Sequence, residues 1–274
     1  MMREGSILHA PDGTAYAVHG EGEPLVLVHG VGMQHGVWAP QVDVLARTHR
    51  VVAYDMLGHG GSPLPPADAA LEDYAAQLER LLDHLGIPGA NIAGHSMGAL
   101  VAIEFALRHP SRTFRLAALN AVFRRTPEQR AAVQSRAATL NQAGVQATIG
   151  STIARWFGDP VPTPLQSMAA NVAGYLRDVQ PEGYARTYKL FASSDEAHAG
   201  RLHRLSMPTL FLTGEYDANS APEMSRAMGT EAPHAVVEVI PGERHMMNVV
   251  APEAVNQSLQ RWLKVPLGKE AALP

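Results

Sequence analysis

Short apolar runs alternate with amphipathic stretches through most of the chain, in the rhythm of strand, helix, strand. Leu25-Val26-Leu27-Val28, Arg50-Val51-Val52-Ala53-Tyr54 and Leu116-Ala117-Ala118-Leu119 are nearly continuous apolar segments, as strands buried on both faces of a parallel sheet require. Residues 35–47 and 71–85 predict helices. In the second of these, Leu71, Tyr74, Ala75, Leu78, Leu81, Leu82 and Leu85 fall at helical spacing. Residues 7–19 predict two short strands around the turn Ala10-Pro11-Asp12-Gly13.

From residue 124 to residue 203 the rhythm stops. This stretch predicts several helices, broken by Gly144, Gly150, Pro160, Pro162, Pro164, Gly174 and Pro181, and no strand. Alternation resumes with a strand over 208–214, a helix, a strand over 235–240 and a closing helix over 252–264. The expected architecture is one α/β core with a mostly parallel eight-stranded sheet, formed by residues 1–123 and 204–274. A helical insertion, residues 124–203, follows the sixth strand. At 274 residues the chain is near the upper size for a single core.

The most informative stretch is Asn91-Ile92-Ala93-Gly94-His95-Ser96-Met97-Gly98-Ala99. A strand that turns sharply into a helix through G-x-S-x-G is a nucleophile elbow. Side chains at 94 or 98 would collide with the neighbouring strand or helix, and the strained turn pushes the Ser96 hydroxyl out at the strand's carboxyl end. There the first amides of the new helix, starting with Met97, point at developing negative charge.

A serine hydroxyl is a poor nucleophile until a base takes its proton, and the base needs an orienting carboxylate. Of the 13 histidines, His245 lies in Pro241-Gly242-Glu243-Arg244-His245, between the last strand and the last helix. Gly214-Glu215-Tyr216-Asp217 follows the preceding strand and offers Asp217, with Glu215 as the weaker candidate. Loops at the carboxyl ends of parallel strands share one rim of the sheet, so Ser96, Asp217 and His245 are expected to meet there. Their chain order is the one that accompanies a true elbow. His29, His59 and His95 sit in glycine-rich loops and are expected to pin those loops by hydrogen bonds. Asp55 is expected to cap backbone, Asn120 to stand at a strand end without charge, and Arg124-Arg125 to form a solvated face.

Composition narrows the partners. A net charge of −4 with no long basic run argues against nucleic acid, and no apolar run reaches the roughly 18 residues of a membrane helix. The start of the chain has no apolar stretch of signal-peptide type, so a cytoplasmic location is expected. With no cysteine there is no thiol nucleophile, disulfide or thiolate metal site, and no metal or cofactor is expected. A homodimer is left open.

Together these pieces resemble the α/β-hydrolase fold. The likeness rests on His29-Gly30-Val31-Gly32 after the third strand, Asp55-Met56-Leu57-Gly58-His59-Gly60-Gly61-Ser62 after the fourth, the Ser96 elbow, and the Asp217 and His245 loops. It covers essentially the whole chain, with the insertion where that family carries its lid. Within the superfamily the chain is similar to small capped bacterial esterases and lactonases, including the 3-oxoadipate enol-lactonase group. The resemblance implies an oxyanion hole formed by the N–H groups of Val31 and Met97. It also implies hydrolysis of a small, largely apolar ester or lactone through an acyl-enzyme.

Trp38, Phe123, Trp156 and Met246 are the expected substrate-binding residues, lying on the insertion or near catalytic loops. The insertion carries nine Arg/Lys against six Asp/Glu, a net +3 over a core of −7, which points to an acyl group bearing a carboxylate. Carbon–carbon bond hydrolysis of ring-cleavage products and perhydrolase activity remain alternatives on the same three residues. A non-catalytic ligand-binding protein is the rival from another class. Dehalogenases and epoxide hydrolases need an aspartate at position 96, and Ser96 argues against both.

Overall fold

A computed structural model describes residues 6–267; residues 1–5 of the start read above for a leader lie outside the described residues, as do 268–274. In chain order the elements are β1 (Leu8–His9), β2 (Ala15–His19), β3 (Glu23–Val28), α1 (Ala39–Leu45), β4 (His49–Tyr54), α2 (Leu71–His84), β5 (Ala90–His95), α3 (Met97–Arg108) and β6 (Thr113–Leu119). Then come α4 (Pro127–Ala143), α5 (Ile149–Phe157), α6 (Gln166–Asp178) and α7 (Pro181–Ser193). They are followed by β7 (Thr209–Gly214), α8 (Pro222–Glu231), β8 (Ala235–Ile240), α9 (Met247–Val250) and α10 (Pro252–Leu263).

The eight strands form one sheet in the order β1-β2-β4-β3-β5-β6-β7-β8. The β1/β2 and β2/β4 pairs are antiparallel and all the others are parallel. The six parallel strands, β3 to β8, therefore end on one rim, where the candidate residues lie. The central strands are buried along nearly their whole length, which is why their sequences run apolar rather than alternating.

Helix α3 departs from ordinary amphipathicity because it is buried on every side from Met97 to Leu107. Its one acid, Glu104, is held by His198 at 3.1 Å and Arg201 at 3.0 Å. Burial works against the charge of Glu104, but the hydrogen bonds from His198 and Arg201 outweigh it and bring its pKa down to about 2. The expected helix over 35–47 is shorter than its pattern. Residues His35–Trp38 form a 3₁₀ turn, and the α-helix proper starts at Ala39, with Pro40 in its first turn, where the missing N–H costs nothing.

Residues 124–203 contain α4 to α7 and no strand. The start of this stretch departs from the expected solvated face. Arg124 is exposed and pairs with Glu231 at 2.9 Å, but Arg125 is buried against Asp195, with its guanidinium over the Phe191 ring. Arg125 lies inside because the end of α7 and the segment after it, Phe191 to Asp195, fold back over it, which adjacency in sequence does not reveal. Among the described residues no helix is long and apolar enough to cross a membrane.

Candidate active site

Ser96 sits between β5 and α3 with φ 56° and ψ −118°, a left-handed conformation that non-glycine residues rarely adopt. The flanking glycines permit it. A Cβ on Gly98 would strike the carbonyl oxygens of Val28 and His29, and one on Gly94 would strike the backbone of Gly98 itself. The turn is tied back to the sheet by Ser96 N–H donating to Leu119 O at 2.8 Å. Met97, the first residue of α3, has no carbonyl one turn back to bond, so its N–H faces the rim with the positive end of the helix behind it.

The loop after β3 passes beside the serine. A Cβ placed on Gly30 would lie 3.0 Å from the Ser96 Cβ, leaving the backbone around Gly30 and Val31 free to approach the hydroxyl closely. His59 fixes this loop by accepting the Gly32 N–H at Nε2, 2.9 Å, while its Nδ1 donates to Leu57 O. His29 does the same for the loop after β4, accepting the Met56 N–H at 3.0 Å and donating to Gly30 O. Both rings serve as acceptors and must be neutral. Burial holds His29 at about 4 and His59 at about 3. Asp55 accepts the Gly61 N–H and both the backbone and side-chain N–H of His35, a structural role that includes an ion pair at 2.8 Å.

On the far side of the rim, β7 and β8 deliver the other two residues. The acid loop is stitched down by Tyr216 N–H to Glu243 O, Thr213 to Ser220 O and Ser220 to Asn120 O. Asp217 is fully enclosed. Its Oδ2 accepts from His245 Nδ1 at 2.8 Å and from Asn120 Nδ2 at 2.7 Å, and its Oδ1 accepts the Asn219 N–H at 2.8 Å. Burial would raise the carboxyl, but the charge of His245 and these hydrogen bonds outweigh it and hold Asp217 below its ordinary value. Glu215, the weaker sequence candidate, instead accepts the Gly242 N–H at the surface.

His95 joins the two sides. Its Nε2 donates to the His245 carbonyl at 2.8 Å, and the two rings lie 4.9 Å apart. The residue preceding the serine is thus bonded to the main chain of His245. His245 Nδ1 is committed to Asp217, which leaves Nε2 directed away from the acid.

Trp156 of α5 stacks on the His245 ring at 5.5 Å, and Trp38 meets His95 edge-on at 6.4 Å. Phe123, Met246 and Met97 are buried in the same core, and Val31 nearly so. The structure adds three features that the sequence did not reveal. Asn120 hydrogen-bonds the candidate acid, and its place at the end of a strand beside β7 was the available signal. Tyr184 of α7 packs within 2.7 Å of where a Gly32 Cβ would stand. Arg155, beside Trp156, has its Nε enclosed without a partner.

The chain is 40% identical over 250 residues to (E)-2-((N-methylformamido)methylene)succinate hydrolase of Acinetobacter baylyi, covering 91% of this chain and 93% of that one. It is 28% identical to 3-oxoadipate enol-lactonase 1 of the same organism, over 88% of each chain. The solved enol-lactonase of Burkholderia xenovorans LB400 superposes with a TM-score of 0.84 at 26% identity, covering 91% of this chain and 96% of that one. The alpha/beta hydrolase fold family model matches residues 23–252. By family match and by fold, the chain belongs to the alpha/beta hydrolase fold family.

Proposed function

We propose that this hydrolase cleaves a carboxylic ester or lactone of a small substrate through an acyl-enzyme formed on Ser96. The observation that carries the reading is the His245–Asp217 hydrogen bond, closed against the strained elbow by the bond from His95 to the His245 carbonyl. In this reading Ser96 Oγ attacks the carbonyl carbon while His245 Nε2 takes its proton. Asp217 fixes the Nδ1–H tautomer and stabilises the imidazolium. The Val31 and Met97 N–H groups receive the tetrahedral oxyanion, each worth roughly 3–4 kcal/mol at the transition state. His245 then protonates the leaving alkoxide, and water, activated by the same imidazole, releases the acid and restores Ser96.

Residues 124–203 act as the cap. Trp156 shields the imidazole from water, and Trp38, Phe123 and Met246 support the acyl pocket. Removing water strengthens each of these charge interactions.

A second reading extends the same machinery to N-acyl substrates. It is favoured by the A. baylyi relative, whose named substrate carries an N-formyl group on a succinate frame. Only the leaving group changes, from alkoxide to amine, and His245 protonates it in the same way.

The test is a panel of esters, lactones, N-acyl enamines and vinylogous ring-cleavage diketones, assayed on wild type and Ser96→Ala. The reading expects ester, lactone or N-acyl turnover that Ser96→Ala lowers by about 10⁶. Turnover of the diketones alone would give the carbon–carbon alternative, and no turnover of any member would favour a binding protein.

A further inference from the structure

Of the nine Arg and Lys residues in 124–203, five pair with carboxylates: Arg124 with Glu231, Arg125 with Asp195, Arg130 with Asp195 and Glu196, Arg186 with Glu182, and Arg201 with Glu104. Arg177 and Lys189 are exposed and need no partner. Arg136 and Arg155 are different. Both are half-buried, and among the described residues neither pairs with a carboxylate. Arg136 Nε donates to the Tyr188 hydroxyl at 3.3 Å. Arg155 reaches only the Thr152 hydroxyl, at a long 3.5 Å, and its Nε is enclosed with no hydrogen-bond partner.

Withdrawing a guanidinium from water without an opposing charge is costly. Burial, and then the charge of Arg136, push Arg155 below its ordinary value, so these two cations make each other less comfortable. A protein that keeps both here gains from an anion that arrives later.

The surroundings say where that anion sits. Arg136, Thr152, Tyr184 and Tyr188 line a cavity of about 130 Å³; Arg155 is outside that lining and borders it through the Thr152 hydroxyl. Arg136 also borders a second cavity of about 80 Å³, which runs to Ala218 and Asn219 beside Asp217. Tyr184 closes the other side against Gly32, and Arg155 is the immediate neighbour of Trp156 on His245. The titratable groups that act on Arg155 are Arg136, Tyr188, Tyr184 and Asp217, the last already committed to His245 and Asn120.

Resting on the acyl-enzyme reading above, we propose that Arg155 and Arg136 form an anion subsite that takes a free carboxylate on the acyl portion of the substrate. Guanidinium groups suit this task because their fork matches a carboxylate's two oxygens. The cavity is well below the roughly 300 Å³ at the lower end of drug-sized ligand sites, so it accepts a short acidic arm and not a long chain. The preferred substrate is a half-ester or half-amide of a short dicarboxylic acid, or a lactone bearing a second carboxylate.

The test compares mono-p-nitrophenyl succinate with p-nitrophenyl butyrate, which match in acyl length and differ by one carboxylate. The selectivity ratio of their kcat/KM values is measured for wild type, Arg155→Met, Arg155→Lys and Arg136→Met. The proposal expects Arg155→Met to lower the ratio at least 30-fold, chiefly through KM for the succinate ester, with Arg155→Lys keeping part of it and Arg136→Met lowering it by a smaller factor. An unchanged ratio in Arg155→Met, or an equal loss for both esters, overturns it. Succinate is also titrated calorimetrically into Ser96→Ala and into Ser96→Ala/Arg155→Met. Saturable binding that disappears with Arg155→Met supports the subsite, and binding that does not depend on residue 155 overturns it. If Ser96→Ala keeps full turnover, the nucleophile reading fails while the titration still decides the subsite.

Discussion

Asp217 Oδ2 accepts the His245 Nδ1–H at 2.8 Å while the Asn120 amide occupies the same oxygen at 2.7 Å. One carboxylate oxygen thus fixes the imidazole and is itself fixed from behind. Replacing Asp217 by Asn keeps the shape and removes the charge, and it permits the wrong tautomer of His245. The expected result is a fall in kcat of about 10⁴ with an unchanged fold by circular dichroism. Asn120→Ala should be milder, about 10-fold to 100-fold, because it loosens the acid and does not neutralise it. An Asp217→Asn variant within tenfold of wild type would remove the acid from the account.

Three buried neutral histidines make stability depend on pH. Burial lowers His29 to about 4 and His59 and His95 to about 3, against an ordinary 6.5. The unfolded chain takes up protons below pH 6.5 that the folded chain refuses. Stability from this source is therefore complete above 6.5 and is lost as pH falls towards the folded values. With three sites, the unfolding free energy should drop by up to about 4 kcal/mol per pH unit near pH 5. His35 runs the other way. Its hydrogen bond to Asp55 raises it, so its contribution is complete below 6.5 and fades as pH rises through its folded value. Urea unfolding at pH 7, 6 and 5 checks both; stability that is flat from 7 to 5 would show that these rings are not held neutral.

The elbow tolerates no side chain at Gly98. Gly98→Ala drives a methyl into the carbonyls of Val28 and His29, neither of which can move without disturbing β3, and should cost at least about 3 kcal/mol. Gly150→Ala is the contrasting case: it lies in α5 with open space around it and should gain up to about 1 kcal/mol. Paired urea titrations separate the two. Equal effects would mean that close packing at the elbow is not what demands glycine.

The Arg125–Asp195 pair closes the start of the insertion, with both side chains buried. Asp195→Ala strands the Arg125 guanidinium and should destabilise the chain by about 3–5 kcal/mol. A loss under 1 kcal/mol in urea unfolding would show that water reaches the site.

Most of this architecture was legible in the sequence for a physical reason. Strands buried on both faces, such as Leu25–Val28, must be apolar at every position, and the Ser96 turn must have its two glycines. The histidines after β3 and β4, and the one that ends β5, were readable as pins because they sit among glycines that need fixing. What escaped was tertiary. Arg125 looks like Arg124 in sequence, and only the return of Phe191 to Asp195 onto Arg125 separates a buried cation from an exposed one. Arg155 carried a faint signal in the net +3 of residues 124–203, but its lack of a partner depends on where the six acids of that stretch went. Trp156 on His245 could be suspected from its position in the insertion, whereas the stacking geometry could not.

Acyl transfer through Ser96 requires a covalent bond between the acyl group and its Oγ. Intact-mass measurement of the chain quenched during turnover of a p-nitrophenyl ester, followed by peptide mapping, tests it most directly. One acyl adduct is expected, located on the peptide containing Ser96 and absent from Ser96→Ala. Continued turnover by Ser96→Ala, or an adduct on any other residue, would contradict it.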